Sequence, residues 1–345
     1  MPPSPGHHRE PLHAAPGDAP IKAWSYEKTG PAADVLRLTE LPTPEPGPGE
    51  VRVRIEWSGV NPSDVKSRGG LRPMPFPRVI PHSDGSGTID AIGAGVDAAR
   101  VGQRVWLWNA AWGRPHGTAA ECCCLPAAQA VPLPDGVPGE VGACMGIPGL
   151  TAMHAVLMDG GVAGRRVLVA GGAGAVGHYV VQLASRFGAA QVISTVSSAE
   201  KARLALDAGA DHVIDYKTEP VVERVRELTG GRGVDRVIEL DLAVNGRLDL
   251  DLLRPGGELV VYGSSPRPLD LPFAVLLSKN LQLKFFMVYH LEAADRARAT
   301  DALQRLLARG ELQHNIADRR PLAEIVQAHE AVEGGRLVGN LVLKA

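Results

Sequence analysis

Val167-Leu168-Val169-Ala170-Gly171-Gly172-Ala173-Gly174-Ala175-Val176-Gly177 is the stretch that decides the fold. An apolar, β-branched run feeds a G-x-G-x-x-G turn at Gly172, Gly174 and Gly177. Val176, Val180, Leu183, Ala184 and Phe187 then recur at helical spacing. The glycines meet separate needs: a tight turn, close approach of backbone to a pyrophosphate, and close packing of helix on strand. The helix N-terminus adds unpaired N–H groups and the positive end of a dipole. Glycine-rich turns are common in a chain with 40 Gly. The strand before this one and the helix behind it make it a dinucleotide site.

Outward from this loop the rhythm is strand, loop, helix. The spacing predicts strands at 166–170, 191–196, 212–215, 235–240, 258–262 and 281–288, with helical patterns such as Val222, Val225 and Leu228 between most of them. Alternating strands and helices imply a parallel sheet covered on both faces, and six strands make a full dinucleotide-binding sheet. Ahead of it, short apolar runs at 51–57, 87–92, 104–107 and 118–125 are broken by Pro/Gly loops, which suggests a compact barrel-like domain. Behind it lie two helices (293–307 and 322–333) and a last strand (341–343), too little for a separate domain. This ending is expected to pack back on the barrel. The resulting plan is a tail over 1–20, a first domain over 21–145, a nucleotide domain over 146–290 and a returning segment over 291–345.

The length of 345 residues suits about two domains. A formal net charge of −2 argues against nucleic acid as the main partner, because a phosphate-binding surface shows as a basic excess. No run approaches the roughly 18 consecutive apolar residues of a membrane span. Residues 1–20 lack the apolar core of a secretory signal and read as a disordered, proline-broken tail. Its His7, His8 and His13 read as solvated. Cys122, Cys123, Cys124 and Cys144 fit neither a disulfide framework nor a zinc site, and suit a reducing cytoplasm.

An NAD site places Asp or Glu about 20 residues after the glycines, bonded to the ribose 2′-OH. Here the second strand ends Thr195-Val196-Ser197-Ser198, Lys201 follows, and Tyr216 ends the next strand. Hydroxyls and an ammonium suit a 2′-phosphate, so NADPH is expected over NADH. The plainer reading of the same residues is a capping box of Ser197 and Glu200, with Lys201 solvated.

From about Ile21 onward the chain resembles the medium-chain dehydrogenase/reductase superfamily, in its zinc-independent quinone oxidoreductase (zeta-crystallin-like) branch. The resemblance rests on five segments in the family's order: Gly59-Val60-Asn61-Pro62-Ser63-Asp64, Pro81-His82-Ser83-Asp84-Gly85-Ser86-Gly87, Gly146-Ile147-Pro148-Gly149-Leu150-Thr151-Ala152, the Gly172–Gly177 loop, and Pro255-Gly256-Gly257 before Val260-Val261-Tyr262-Gly263. It implies an α/β fold, a Rossmann doubly wound parallel sheet inserted in a GroES-like β-barrel catalytic domain, with the active site in the cleft between. Zinc-dependent members hold their metal with Cys, His and Cys. Those places here are Asn61, Ser83 and Ile147, which cannot supply thiolate and imidazole ligands. The four-cysteine structural lobe is lacking too. No metal is expected, and His82 reads as a structural donor.

By the same resemblance, Asn61, Lys66 and Thr151 face the nicotinamide, and Ala173, Gly174, Ala175, Val176 and Gly177 hold the pyrophosphate. Ser197, Ser198, Lys201 and Tyr216 surround the adenosine phosphate. Gly263, Ser264, Met287, Val288, Tyr289 and Asn340 complete the groove. Lys66 departs from the aromatic residue often found at its place. Plainer readings make Asn61 a turn residue before Pro62 and Thr151 a helix N-cap.

Without a Lewis acid, a quinone or conjugated enone is the fitting acceptor, because hydride addition gives a delocalised anion. Asn61, Ser63 and Lys66 are the candidate polar groups beside that oxyanion. Trp108 and Trp112, in Trp106-Leu107-Trp108-Asn109-Ala110-Ala111-Trp112, either wall a pocket for a planar acceptor or pack in the barrel. The sixth strand would leave an apolar sheet edge, and pairing of two subunits there predicts a homodimer. Three functions compete: an NADPH:quinone reductase; an enone, enal or enoyl-thioester reductase; and a non-enzymatic NADPH-binding structural or RNA-binding protein.

Overall fold

The computed structural model describes residues 19–345. All but the last two residues of the expected tail, its three histidines included, lie outside the described residues. Two sheets dominate. The first is wholly parallel, in the order His212–Asp215, Gln191–Val196, Arg166–Val169, Val234–Glu239, Leu253–Val261 and Gln282–Phe285. This is the doubly wound order, with the glycine loop at its switch point. Its strands are continuously apolar because both faces are covered. Val167, Val169, Val192, Ile238 and Val260 enter the main core on one side. Leu168, Ile193, Val237 and Leu259 enter a separate core on the other. A period of two thus splits each strand between two interiors.

The second sheet is built on one long strand, Glu50–Val60. Asp84–Ile92 pairs along one edge of it. The other edge is shared, Cys122–Pro126 taking the half from Glu50 to Arg54 and the chain's last strand, Asn340–Lys344, the half from Trp57 to Val60. Bulges beside Val53 and Trp57 bend the long strand so that both partners fit. Arg104–Leu107, Ala130–Pro132 and Ile316–Pro321 complete the sheet. Helix Leu150–Leu157 packs against both Gly177–Arg186 and Ala293–Ala308, and so joins the two halves.

Two differences from expectation have physical causes. Strand Ile316–Pro321 escapes a hydrophobic reading because Asp318, Arg319 and Arg320 interrupt it, and it is held instead by parallel pairing to the last strand. The sixth strand of the parallel sheet ends at Phe285, not 288, because the chain leaves the sheet and turns at Val288–His290. Lys284 on that strand is drawn to the carboxylate of Glu258, which also binds the fully buried Arg236.

Beneath the cleft runs a hydrogen-bond chain of fixed direction. Thr118 Oγ1 donates to the Asp84 carbonyl, so it must accept from Ser58 Oγ, 2.7 Å away. Ser58 must then accept from His82 Nδ1 at 2.8 Å. A neutral His82 presents its bare Nε2 to His329 Nε2–H at 2.9 Å. His329 Nδ1 is left as a lone pair, buried and without a partner among the described residues. Burial pushes the His329 imidazolium down to about 3, with the Arg68 charge adding to the effect. Such a base is neutral in the fold while the unfolded chain takes up protons below about 6.5, so its contribution to stability is whole above that pH and lost as pH falls toward 3. His329→Gln keeps a donor but cannot ionise. At pH 8 the variant should be the less stable protein. Below about pH 6.5 its deficit should shrink by up to about 1.4 kcal/mol per pH unit, read from denaturant midpoints, and parallel curves would refute the assignment.

Candidate active site

The phosphate loop is built by contacts too close for side chains. A Cβ on Gly172 would stand 2.0 Å from Ser194 Oγ on the neighbouring strand, and one on Gly177 would stand 2.3 Å from the Gly171 carbonyl. The turn itself belongs to Gly171, with φ +66°, and not to Gly172 as the motif suggested. Among the described residues, the amides of Ala173, Ala175, Val176 and Gly177 make no hydrogen bond, while the Gly172 amide binds Ser194 Oγ at 3.1 Å. Unpaired amides at the start of Gly177–Arg186 are what a pyrophosphate requires. Asn315, missed from sequence because no motif surrounds it, donates to the Ala173 carbonyl at 3.1 Å. Asn340 donates in turn to the Asn315 carbonyl, so it supports the loop from behind.

Past the end of the second strand, the Tyr216 amide donates to the Val196 carbonyl, and the Tyr216 ring is exposed. Lys201 Nζ lies 2.9 Å from Ser197 Oγ. Ser198, rather than Ser197, caps the helix Ala199–Asp207 by accepting from the Lys201 amide. That corrects the capping-box alternative and leaves Ser197 and the Lys201 ammonium together at the groove. No acid follows Val196.

Helix Pro62–Arg68 forms the other wall. Asn61 caps it, its amide N–H donating to Asp64 Oδ2 at 2.9 Å. Asn61 is only 4% exposed, and its Nδ2 donates inward to Asp84 Oδ2 at 2.8 Å. The amide thus engages a buried carboxyl through one of its N–H groups. Ile147 N donates to the same oxygen at 3.0 Å. The places where zinc would be held thus converge on Asp84, which neighbours Ser83, and the amide, hydroxyl and aliphatic side chains there do not fit the metal. Burial pushes the Asp84 carboxyl well above the usual range. Asp64 rises to about 7, also through burial.

Lys66 is exposed and reaches across the cleft to the Ser264 carbonyl at 3.4 Å. Gly263 accepts from Leu242 N, and Ser264 Oγ accepts from Ala243 N, which fixes the end of the fifth strand. Thr151 is buried one residue into helix Leu150–Leu157, behind the π-helical turn Met145–Gly149, so it is not an N-cap. Ser63, Asp64, His82, Trp112 and Tyr289 line a cavity of about 380 Å³. Trp108 does not line it: its ring packs on the main core under the Arg296 guanidinium, 4.0 Å away. Met287 accepts a contact from Arg72, and Val288 is buried with its carbonyl bound by Arg296. Tyr26 lies outside every motif segment, and Asp64 and Asp84 lie within them without an assigned role, since buried polar groups carry no periodic signal.

Residues 47–135 match the family model of the alcohol dehydrogenase GroES-like domain, and residues 175–307 that of the zinc-binding dehydrogenases. A quinone oxidoreductase of Pseudomonas aeruginosa is 34% identical over 315 residues, 90% of this chain and 95% of the relative. A 2-haloacrylate reductase of a Burkholderia species is 30% identical over 94% of this chain and 98% of its own. A mycobacterial protein solved in complex with NADPH superposes with a TM-score of 0.83 at 32% identity, covering 94% of this chain and all of the other. Kinship over nearly the full length of both chains, on this two-sheet architecture, settles the lineage: the chain belongs to the medium-chain dehydrogenase/reductase superfamily, in its quinone oxidoreductase branch.

Proposed function

We propose that this chain is a zinc-independent reductase that binds NADPH and delivers its hydride to a quinone. The reading is carried by the free amides of Ala173, Ala175, Val176 and Gly177 at the glycine loop, together with Ser197 and the Lys201 ammonium, rather than an acid, at the end of the second strand. The NADPH complex of a close structural relative supports it. When bound, the nicotinamide supplies two electrons and a hydrogen as hydride. The chain's own work is to seat the diphosphate on backbone amides, hold a flat acceptor in the cavity, and keep water from it. Ser63 faces that cavity and is retained as a polar group near the developing oxyanion, and Lys66 closes the groove against Ser264. The division at 145/146 and 290/291 is kept as the working description of the units, with the cleft between the two sheets.

Reduction of a conjugated C=C bond is the second reading, favoured by the kinship to a 2-haloacrylate reductase. A homodimer is supported by the apolar edge beyond Gln282–Phe285, where Phe285, Leu277 and Phe273 are 59%, 63% and 74% exposed. The four cysteines are all free thiols, in keeping with a reducing cytoplasm.

Lys201→Ala should weaken NADPH binding about tenfold or more and leave NADH binding little changed, as for loss of one charge-assisted hydrogen bond. Equal losses for both nucleotides in calorimetry would remove Lys201 from the phosphate site. A chelator-treated protein should reduce 1,4-naphthoquinone with NADPH at an undiminished rate, and faster than it reduces a simple enone; activity restored only by zinc would overturn the metal-free reading. Light scattering at micromolar concentration should return twice the chain mass, and a clean monomer would refute the dimer.

A further inference from the structure

Tyr289 comes from the turn that follows the parallel sheet, yet its side chain faces the cavity walled by Ser63 and Trp112 from the other half of the molecule. It is fixed at three points. Its ring lies on Trp112, centroids 4.3 Å apart and planes 23° apart. Its hydroxyl oxygen stands 3.0 Å from Ser63 Oγ. Its carbonyl accepts from Asn109 Nδ2 at 3.2 Å and from the Arg296 guanidinium at 3.3 Å.

We infer that the Tyr289 hydroxyl is the oxyanion donor of the reaction, receiving the carbonyl oxygen of a flat conjugated acceptor laid in the cavity, with Ser63 donating to it from behind. The inference rests on the reductase reading and assigns that site a catalytic group. Ser83, which also lines the cavity, is a second hydroxyl partner of the phenol, and other neighbouring polar groups are engaged elsewhere. The Asn61 amide is turned to Asp84, and Lys66 reaches Ser264. Arg114 binds the Ala110 and Asn109 carbonyls. His82 has its one N–H on Ser58 and its lone pair on His329, so it has nothing to donate to the cavity.

The Ser63–Tyr289 pair can serve because each hydroxyl has one proton. When Ser63 Oγ–H donates to the phenol oxygen, the phenol O–H is free to point at a ligand, and the first bond polarises the second. Two electrons and a hydrogen arrive at an acceptor carbon as hydride, and the conjugated π pair moves onto the carbonyl oxygen. That oxygen gains charge and shortens its hydrogen bond to Tyr289 without taking the proton. Solvent supplies the proton that completes the quinol or saturated carbonyl. Burial, and after it the charge of Asp64, raise the phenol above its ordinary range, which keeps it a donor throughout the working pH. A donor preplaced in a dry site acts on the transition state more than on the neutral ground state.

Tyr289→Phe keeps the ring on Trp112 and removes only the donor. Its kcat with naphthoquinone should fall roughly 10²-fold, with NADPH affinity and melting temperature unchanged. Ser63→Ala should lose about tenfold. An independent readout is the ionisation of 4-nitrophenol bound to the protein, followed by absorbance. The native protein should bind the phenolate more tightly than the phenol, and Tyr289→Phe should abolish that preference. An active native protein whose Tyr289→Phe variant keeps its kcat and its phenolate preference overturns the inference alone. So does a larger loss in Tyr26→Phe than in Tyr289→Phe. A native protein that binds NADPH but reduces neither quinone nor enone overturns the reductase reading and this inference with it.

Discussion

One oxygen atom of Asp84 holds the cleft in register. It accepts from Asn61, which caps the helix carrying Ser63, and from Ile147, which lies in the π-helical turn leading to helix Leu150–Leu157. The first donor positions the substrate wall, and the second positions the helix that abuts the nucleotide sheet. A charged carboxylate so deeply buried is costly, which raises the Asp84 carboxyl well above the usual range, and the two N–H groups offset part of that cost. Where zinc-dependent relatives would gather a cation, this chain gathers two N–H groups around a buried carboxyl.

On the metal-free reading proposed above, polarisation comes from hydrogen bonds. A metal attracts electron density from its full charge, whereas a hydroxyl does so through a dipole, which discriminates sharply by position. The cleft accordingly fixes its polar groups from both sides: Ser63 on the capped helix, Tyr289 on the turn beyond the sixth strand, and Lys66 bridging to Ser264. The rest of the cavity is mostly apolar, and Trp112 forms a flat part of its wall.

How far the sequence could be read depended on whether a residue's partner is near in the chain. The six parallel strands were legible because burial on both faces leaves an unbroken apolar run, and Gly172, Gly174 and Gly177 because close approach tolerates nothing else. Strand Ile316–Pro321 was not, since its stability comes from pairing to residues some twenty positions on and its side chains show no pattern. Asn61 stands out from its segment, but the buried bond of its amide to Asp84 is a long-range contact that no local pattern shows. Trp108 and Trp112 share a loop and a residue type; only the fold separates the one under Arg296 from the one against Tyr289. The inversion of roles between Gly171 and Gly172 has a similar origin, since φ is not written in residue type when two glycines adjoin.

The shared edge of strand Glu50–Val60 also orders events during synthesis. Half of that edge stays open until Asn340–Lys344, the last strand of the chain, leaves the ribosome. The parallel sheet draws all its strands from residues 166 to 285 and can assemble before then. The phosphate loop and its sheet can thus form while the loop's backing from Asn315 and Asn340, and the closing strand of the other half, are still to come. A dinucleotide captured at that stage would bias the nascent chain toward its native state, by mass action on the only part yet able to bind it.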